Sequence, residues 1–243
     1  MWKAAMTELV ATASLMFTLT TSIIACLDSH EANPKLLVPF AVFTVAFLFL
    51  MVTVPLSGGH MSPIFTFIAA LKGIVTLARA LLYIIAQCIG SILGFLIIKS
   101  VMEHKLIEIY SLGGCAIVGN GENPGVKRQV AMLLEFSCTF VVLFVGAMAL
   151  AVFVSITVTG KGGYAGVGLN PARCLGPALL QGGPLWDGHW VFWVGPFLAC
   201  VIYYCVSVNL PKEGLVWVDG EYDFSKLAWA CFNGRSNAIH LQV

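Results

Sequence analysis

Four stretches of this chain stay apolar long enough to cross a bilayer, and the polar residues collect between them. Residues 4–27, 36–56, Leu77–Val101 and Trp190–Leu210 each supply about the 20 residues that a ~30 Å hydrocarbon layer demands of a helix. The connectors Asp28–Lys35, Met102–Arg128 and Gln181–His189 are polar, and the second contains the turn-rich run GNGENPG. A fifth apolar stretch, Gln129–Gly160, holds 32 residues, too many for one ordinary span and too few for two with a turn. We expect two shortened or tilted helices there, reversing near Gly146–Ala147, because glycine turns the chain at the lowest steric cost. The first apolar run lacks a small-residue cleavage site after it, so it reads as a span and not a leader.

An internal repeat organises these spans. Each half opens with a glutamate inside an apolar helix, ELVATASLMF from Glu8 and EFSCTFVVLF from Glu135. Each half then runs to a glycine-rich loop ending in a small polar residue and proline. Residues 57–65 read SGGHMSPIF and residues 162–174 read GGYAGVGLNPARC. The first half places 54 positions between Glu8 and Ser62, whereas the second places 35 between Glu135 and Asn170. The second half is therefore short by about one helix end, a turn and one helix start.

Composition narrows the class. Hydrophobic residues make up 59% and charged residues 10% of the 243 positions, against about 25% charged in soluble domains. Mean hydropathy is +0.91. A net charge of +1 leaves neither a basic face for nucleic acid nor an acidic field for steering. The eight cysteines show no CxxC pair and no histidine at ligand spacing, so neither a disulfide framework nor a metal site is expected, and the thiols read as small apolar side chains. With Lys3 cytosolic, the cations divide six against six across the membrane, and charge bias sets no orientation.

The candidate chemistry lies in the two loops. Proline at the first position of a helix costs no hydrogen bond, and Ser62 or Asn170 before it can cap the helix. The dipeptides Ser62-Pro63 and Asn170-Pro171 could each be a plain turn starter. As a matched pair, one per repeat, they predict two half-helices whose positive ends meet at membrane depth, repelling cations while offering donors to a neutral solute. Arg173 sits on the first turn of the second half-helix. It is either an interfacial side chain that snorkels or a fixed cation at a constriction. Glu8 and Glu135 could relay protons, but accepting hydrogen bonds from the neighbouring loop backbone explains them better. His60 reads as a loop-packing or gating residue, with no partner at metal-ligand spacing. The last-span aromatics Trp190, Phe192, Trp193, Phe197, Tyr203 and Tyr204 read as interface belt and lipid-facing packing. Gly90 and Gly94 point to a close helix contact. No nucleophile–base pair, phosphate loop or cofactor motif stands out, so an enzyme is not expected. Coupled transport would need more midplane carboxylates than these two.

The twin loops, the paired glutamates and NPAR followed by cysteine resemble the major intrinsic proteins, the aquaporin family. SPI in the first loop with NPARC in the second is most similar to the plant X intrinsic proteins. The resemblance implies an all-α membrane fold. Its features are an inverted repeat with two re-entrant half-helices, pore motifs Ser62-Pro63-Ile64 and Asn170-Pro171-Ala172, and a homotetramer in a bilayer with one pore per subunit. Residues 1–222 would form this domain, with repeats of about 4–101 and 129–210, and residues 223–243 a tail. Counting from each motif places the selectivity filter at Val42, Val158, Val167 and Arg173, with Glu8, Glu135 and His60 as loop support. Three valines facing one arginine make a wider, less polar opening than aromatic and histidine walls would. The expected cargo is small and uncharged (glycerol, urea, boric acid or hydrogen peroxide), with water a poorer substrate, at a plasma-membrane location. The alternative raised by the short second half is a truncated, non-conducting isoform that assembles with full-length subunits.

Overall fold

A computed structural model of the chain describes residues 1–29, 37–117, 125–145 and 167–209. The predicted reversal near Gly146–Ala147, Val158 and the 223–243 tail lie outside them. The described residues are helical. The helices are α1 (Trp2–Asp28), α2 (Leu37–Ser57), α3 (Pro63–Leu71), α4 (Leu77–Val101), α5 (His104–Ile109), α6 (Arg128–Val145), α7 (Pro171–Gln181) and α8 (Val191–Asn209), with single 3₁₀ turns at Ser111–Gly113 and Gly183–Trp186. Helix boundaries follow the apolar pattern to within two residues at α1, α2, α4 and α8. Four helical segments are long and apolar enough to span a membrane among the described residues, the last being Gly183–Asn209. The described part of the connector after α4, up to residue 117, folds onto the bundle, with Ile107, Tyr110 and Leu112 burying apolar surface there.

The two repeats interlock. Helix α1 packs on α2 and α4, and α6 packs on α8. The half-helix of each repeat lies across the other: α3 packs on α8, and α7 packs on α4. Glycine makes the tightest of these contacts. A Cβ at Gly90 would strike the Leu9 carbonyl oxygen, and one at Gly94 the Ala13 carbonyl oxygen. That is the close approach expected of small residues four apart. At the far end of α1, Tyr110 donates to Asp28 (3.3 Å), tying the connector to the helix bundle. Burial and the neighbouring Asp28 carboxylate both push the Tyr110 phenol above its ordinary pKa, so this donor keeps its proton well past neutral pH.

Two expectations need correction. The cysteines are not all separate thiols: Cys115 and Cys174 form a disulfide across a sequence separation of 59. Spacing in the sequence gave no hint of this, because the folded connector is what brings the two residues together. The last-span aromatics are not all at the lipid face either. Phe192 and Tyr203 are buried, and Tyr203 packs edge-on against Phe140 and Phe144 of α6. The α6–α8 contact covers one face of the span, and of these six aromatics Trp190, just before α8, is the exposed one, at 48%.

Candidate functional site: two half-helix ends held face to face

Each half-helix is started by the residue before its proline. The Ser62 hydroxyl accepts from the Ile64 amide (3.3 Å), and the Asn170 side-chain oxygen accepts from the Ala172 amide (3.1 Å). Proline follows as the first helical residue in both. The residue preceding each cap, Met61 (φ 46°) and Leu169 (φ 55°), is left-handed. A non-glycine residue holds that conformation only where its surroundings enforce it.

The two buried glutamates enforce it. Glu8 accepts from the His60 amide (3.1 Å) and the Met61 amide (2.7 Å), one on each carboxylate oxygen. It also accepts from the Ser57 hydroxyl (2.6 Å) and the Gln87 side-chain amide (2.8 Å). In the second repeat Glu135 accepts from the Gly168 and Leu169 amides in the same way. Both carboxylates are fully buried. Two consecutive backbone N–H groups held by one side chain fix the direction of the loop at that point.

Each half-helix is then fastened by the opposite repeat. Ser91 of α4 donates to the Ala172 carbonyl (2.6 Å), and the Cys200 thiol of α8 donates to the Ile64 carbonyl (3.7 Å). Ala172 and Ile64 are the second residues of their half-helices, so the two links are equivalent under the repeat. Lys99 caps the far end of α7 at the Leu180 carbonyl (2.9 Å), where a cation complements the negative helix end. His60 lies beside Thr66 (Nδ1 to Oγ1, 3.0 Å) and edge-on to the Tyr83 ring. Gln87 joins the Glu8 and Thr66 side chains.

The two ends meet. The Asn170 amide donates to the Met61 carbonyl (3.0 Å), a direct bond between the loops of the two repeats. That bond uses one of the two N–H groups of the amide. Arg173 is 9% exposed. Its guanidinium donates to the Gly113 carbonyl (3.3 Å) and to the Cys115 sulfur (3.6 Å). Val42 and Val167 are both buried in one cluster with Cys115, Cys174 and Phe192. The structure thus brings Ser62, Pro63, Ile64, Asn170, Pro171, Ala172, Val42, Val167 and Arg173 around one centre, with Glu8, Glu135 and His60 behind them.

Sequence reasoning missed Gln87, Ser91, Cys200, Gly113 and the disulfide. A signal for the first two existed: Gln87 and Ser91 are polar residues four apart in an otherwise apolar span, which marks a face turned to protein. Gly113 acts through its carbonyl and left no side-chain signature.

A family model described as "Major intrinsic protein" matches residues 1–204. The chain is 32% identical over 232 residues to Aquaporin PIP2-7 of Musa acuminata, covering 82% of this chain and 78% of that protein. It is 29% identical over 246 residues to Aquaporin TIP1-2 of Zea mays, covering 90% and 92%. The aquaglyceroporin from Plasmodium falciparum superimposes with a TM-score of 0.69 at 17% identity, covering 86% of this chain and 96% of that one, which speaks to the fold.

Proposed function

Because the chain belongs to the major intrinsic protein family, a family of channels and not enzymes, we propose that it is a passive channel for small uncharged solutes, with water a poorer substrate. One observation carries this reading: the direct bond from Asn170 to the Met61 carbonyl. It sets two positive half-helix ends against each other in a bilayer-sized bundle, an arrangement that favours neutral solutes with lone pairs over cations. It also favours a pore over the non-conducting alternative, which would leave the second loop on the far side of the membrane. Glycerol, urea, boric acid and hydrogen peroxide fit an opening walled by Val42 and Val167 opposite Arg173. The SPI and NPARC motifs support a place near the X intrinsic proteins, and the homotetramer is what that likeness implies. Helix α2 leaves Phe40, Leu48, Val52 and Leu56 exposed, apolar surface for lipid or for a neighbouring subunit.

The test is flux in proteoliposomes, with Val42→Phe beside the unaltered chain. The unaltered protein should pass glycerol or urea well above empty vesicles. Val42 is 0% exposed, so a phenyl ring must enter the lumen or displace Val38 and Val167. The expected result is a fall of about tenfold in the ratio of glycerol to water flux, as about 1.4 kcal/mol of added barrier for the larger solute would give. Hydrogen peroxide, close to water in size, should change least. A ratio unchanged at equal protein would remove Val42 from the filter.

The disulfide supports an orientation that the lysines and arginines leave open. Disulfides persist where the compartment is oxidising, so the connector bearing Cys115 faces the non-cytosolic side and the N-terminus faces the cytosol. This fits a plasma-membrane protein. In intact cells, a membrane-impermeant amine reagent should label Lys105, which is exposed on α5, and spare Lys3. The opposite pattern would reverse the assignment.

A further inference from the structure

The Cys115–Cys174 bridge joins the connector to the first turn of α7, one residue beyond Arg173. Building on the channel reading above, we infer that this bridge is a specificity-determining element: it positions the Arg173 guanidinium by holding the 113–115 backbone against the half-helix.

Three observations carry the inference. First, the two named partners of the guanidinium, the Gly113 carbonyl and the Cys115 sulfur, both belong to the connector, not to a membrane helix. The placement of the arginine head therefore depends on that short segment. Second, the segment is conformationally costly. Ser111 (φ 47°), Leu112 (φ 54°) and Gly113 (φ 68°) are three consecutive left-handed residues, two of which carry side chains that disfavour this region. Such a run persists only when its surroundings over-determine it. Beyond its own backbone, the 113–115 stretch is cross-linked to the half-helix through the bridge. Third, the bridge is seated on the second loop. A Cβ at Gly168 would collide with the Cys174 sulfur and come within 3.3 Å of the Cys115 sulfur. Gly168 is also the residue whose amide bonds Glu135. Connector, loop and half-helix thus converge on one buried pair of sulfurs, each cysteine being 1% exposed.

Val42 and Val167 pack in the same cluster. The bridge consequently sits behind the aliphatic wall as well as beside the cation. Without it, the Asn170 cap and the Glu135 bonds still define the half-helix. The connector would then be free to withdraw, and the guanidinium would lose the fixed acceptors that set how far it reaches into the lumen.

The test uses the full chain in proteoliposomes, with glycerol, water and proton flux measured at matched protein. Cys115→Ala/Cys174→Ala should shift the glycerol-to-water ratio at least threefold and raise proton leak. In an Arg173→Val background, removing the bridge should add nothing to either readout, because the bridge acts through Arg173; a general loosening of the fold would add to both. If the double variant does not reach the membrane, the unaltered channel is treated in place with dithiothreitol. That dithiol gives two electrons and two protons to the bridge, leaving two cysteine thiols and its own cyclic disulfide. Peptide mass after alkylation confirms the break, and the same shift is expected. An unchanged ratio and leak in protein shown to lack the bridge would overturn the inference. Unaltered protein that passes no solute above empty vesicles would sink the channel reading instead, a result readily told apart from conduction with an unchanged ratio.

Discussion

Glu8→Leu and Glu135→Leu should each abolish most flux, by tenfold or more per molecule at the membrane, with Glu8→Leu the worse of the two. Leucine fills similar volume but accepts nothing. Removing Glu135 strands the Gly168 and Leu169 amides; removing Glu8 strands the His60 and Met61 amides together with the Ser57 and Gln87 side chains. A buried donor left without a partner costs about 1–3 kcal/mol. The left-handed Met61 and Leu169 would then lose the carboxylate that holds their amides, and the loops would relax away from the centre. Glu8→Gln and Glu135→Gln separate shape from acceptor strength, since the amide keeps the volume and one acceptor oxygen. Those variants should retain part of the flux. Equal loss in Gln and Leu variants would point to the charge itself, and full flux in the Leu variants would refute the support role.

These glutamates also show what could be read from the sequence. A lone carboxylate in an apolar run invites few interpretations, and its recurrence at the start of each repeat narrows them further. The half-helix caps were legible for a similar reason: Ser62-Pro63 and Asn170-Pro171 impose their local geometry through proline's fixed φ and a short side chain. Span boundaries followed from apolar run length. What could not be read depends on the fold bringing distant backbone together. Arg173 was visible as an expensive cation, but it donates to the Gly113 carbonyl among others, and carbonyls have no sequence signature. Cys115 and Cys174 looked like two of eight scattered thiols, because a connector must fold back over the half-helix before they become neighbours. The interlocking of α3 on α8 and α7 on α4 was implicit in the repeat. Yet the residues that fasten it, Ser91 and Cys200, differ in type, and a search for identical repeats passes over them.

Arg173→Val should raise proton and potassium leak by at least tenfold while leaving neutral solute flux intact or increased. The half-helix ends carry roughly half a unit of positive charge each, and their field remains in the variant. The guanidinium contributes a full charge on the first turn of α7, buried beside the Val42 and Val167 cluster. A unit cation meeting that charge at about 4 Å is repelled by about 4 kcal/mol at an effective dielectric of 20. Loss of even a third of that barrier corresponds to about a tenfold rate change. Valine also vacates the volume of the guanidinium and its stem, so glycerol should pass more easily and discrimination against urea should weaken. Arg173→Lys provides the control. It keeps the charge but not the planar fork that reaches the Gly113 carbonyl and the Cys115 sulfur together. Cation exclusion should therefore survive in the Lys variant while the glycerol-to-water ratio drifts. Vesicle swelling with parallel conductance recording reads both quantities on the same preparation. Ion exclusion unchanged in Arg173→Val would assign the barrier to the two half-helix ends, and Arg173 would then set only the size and hydrogen-bonding character of the opening.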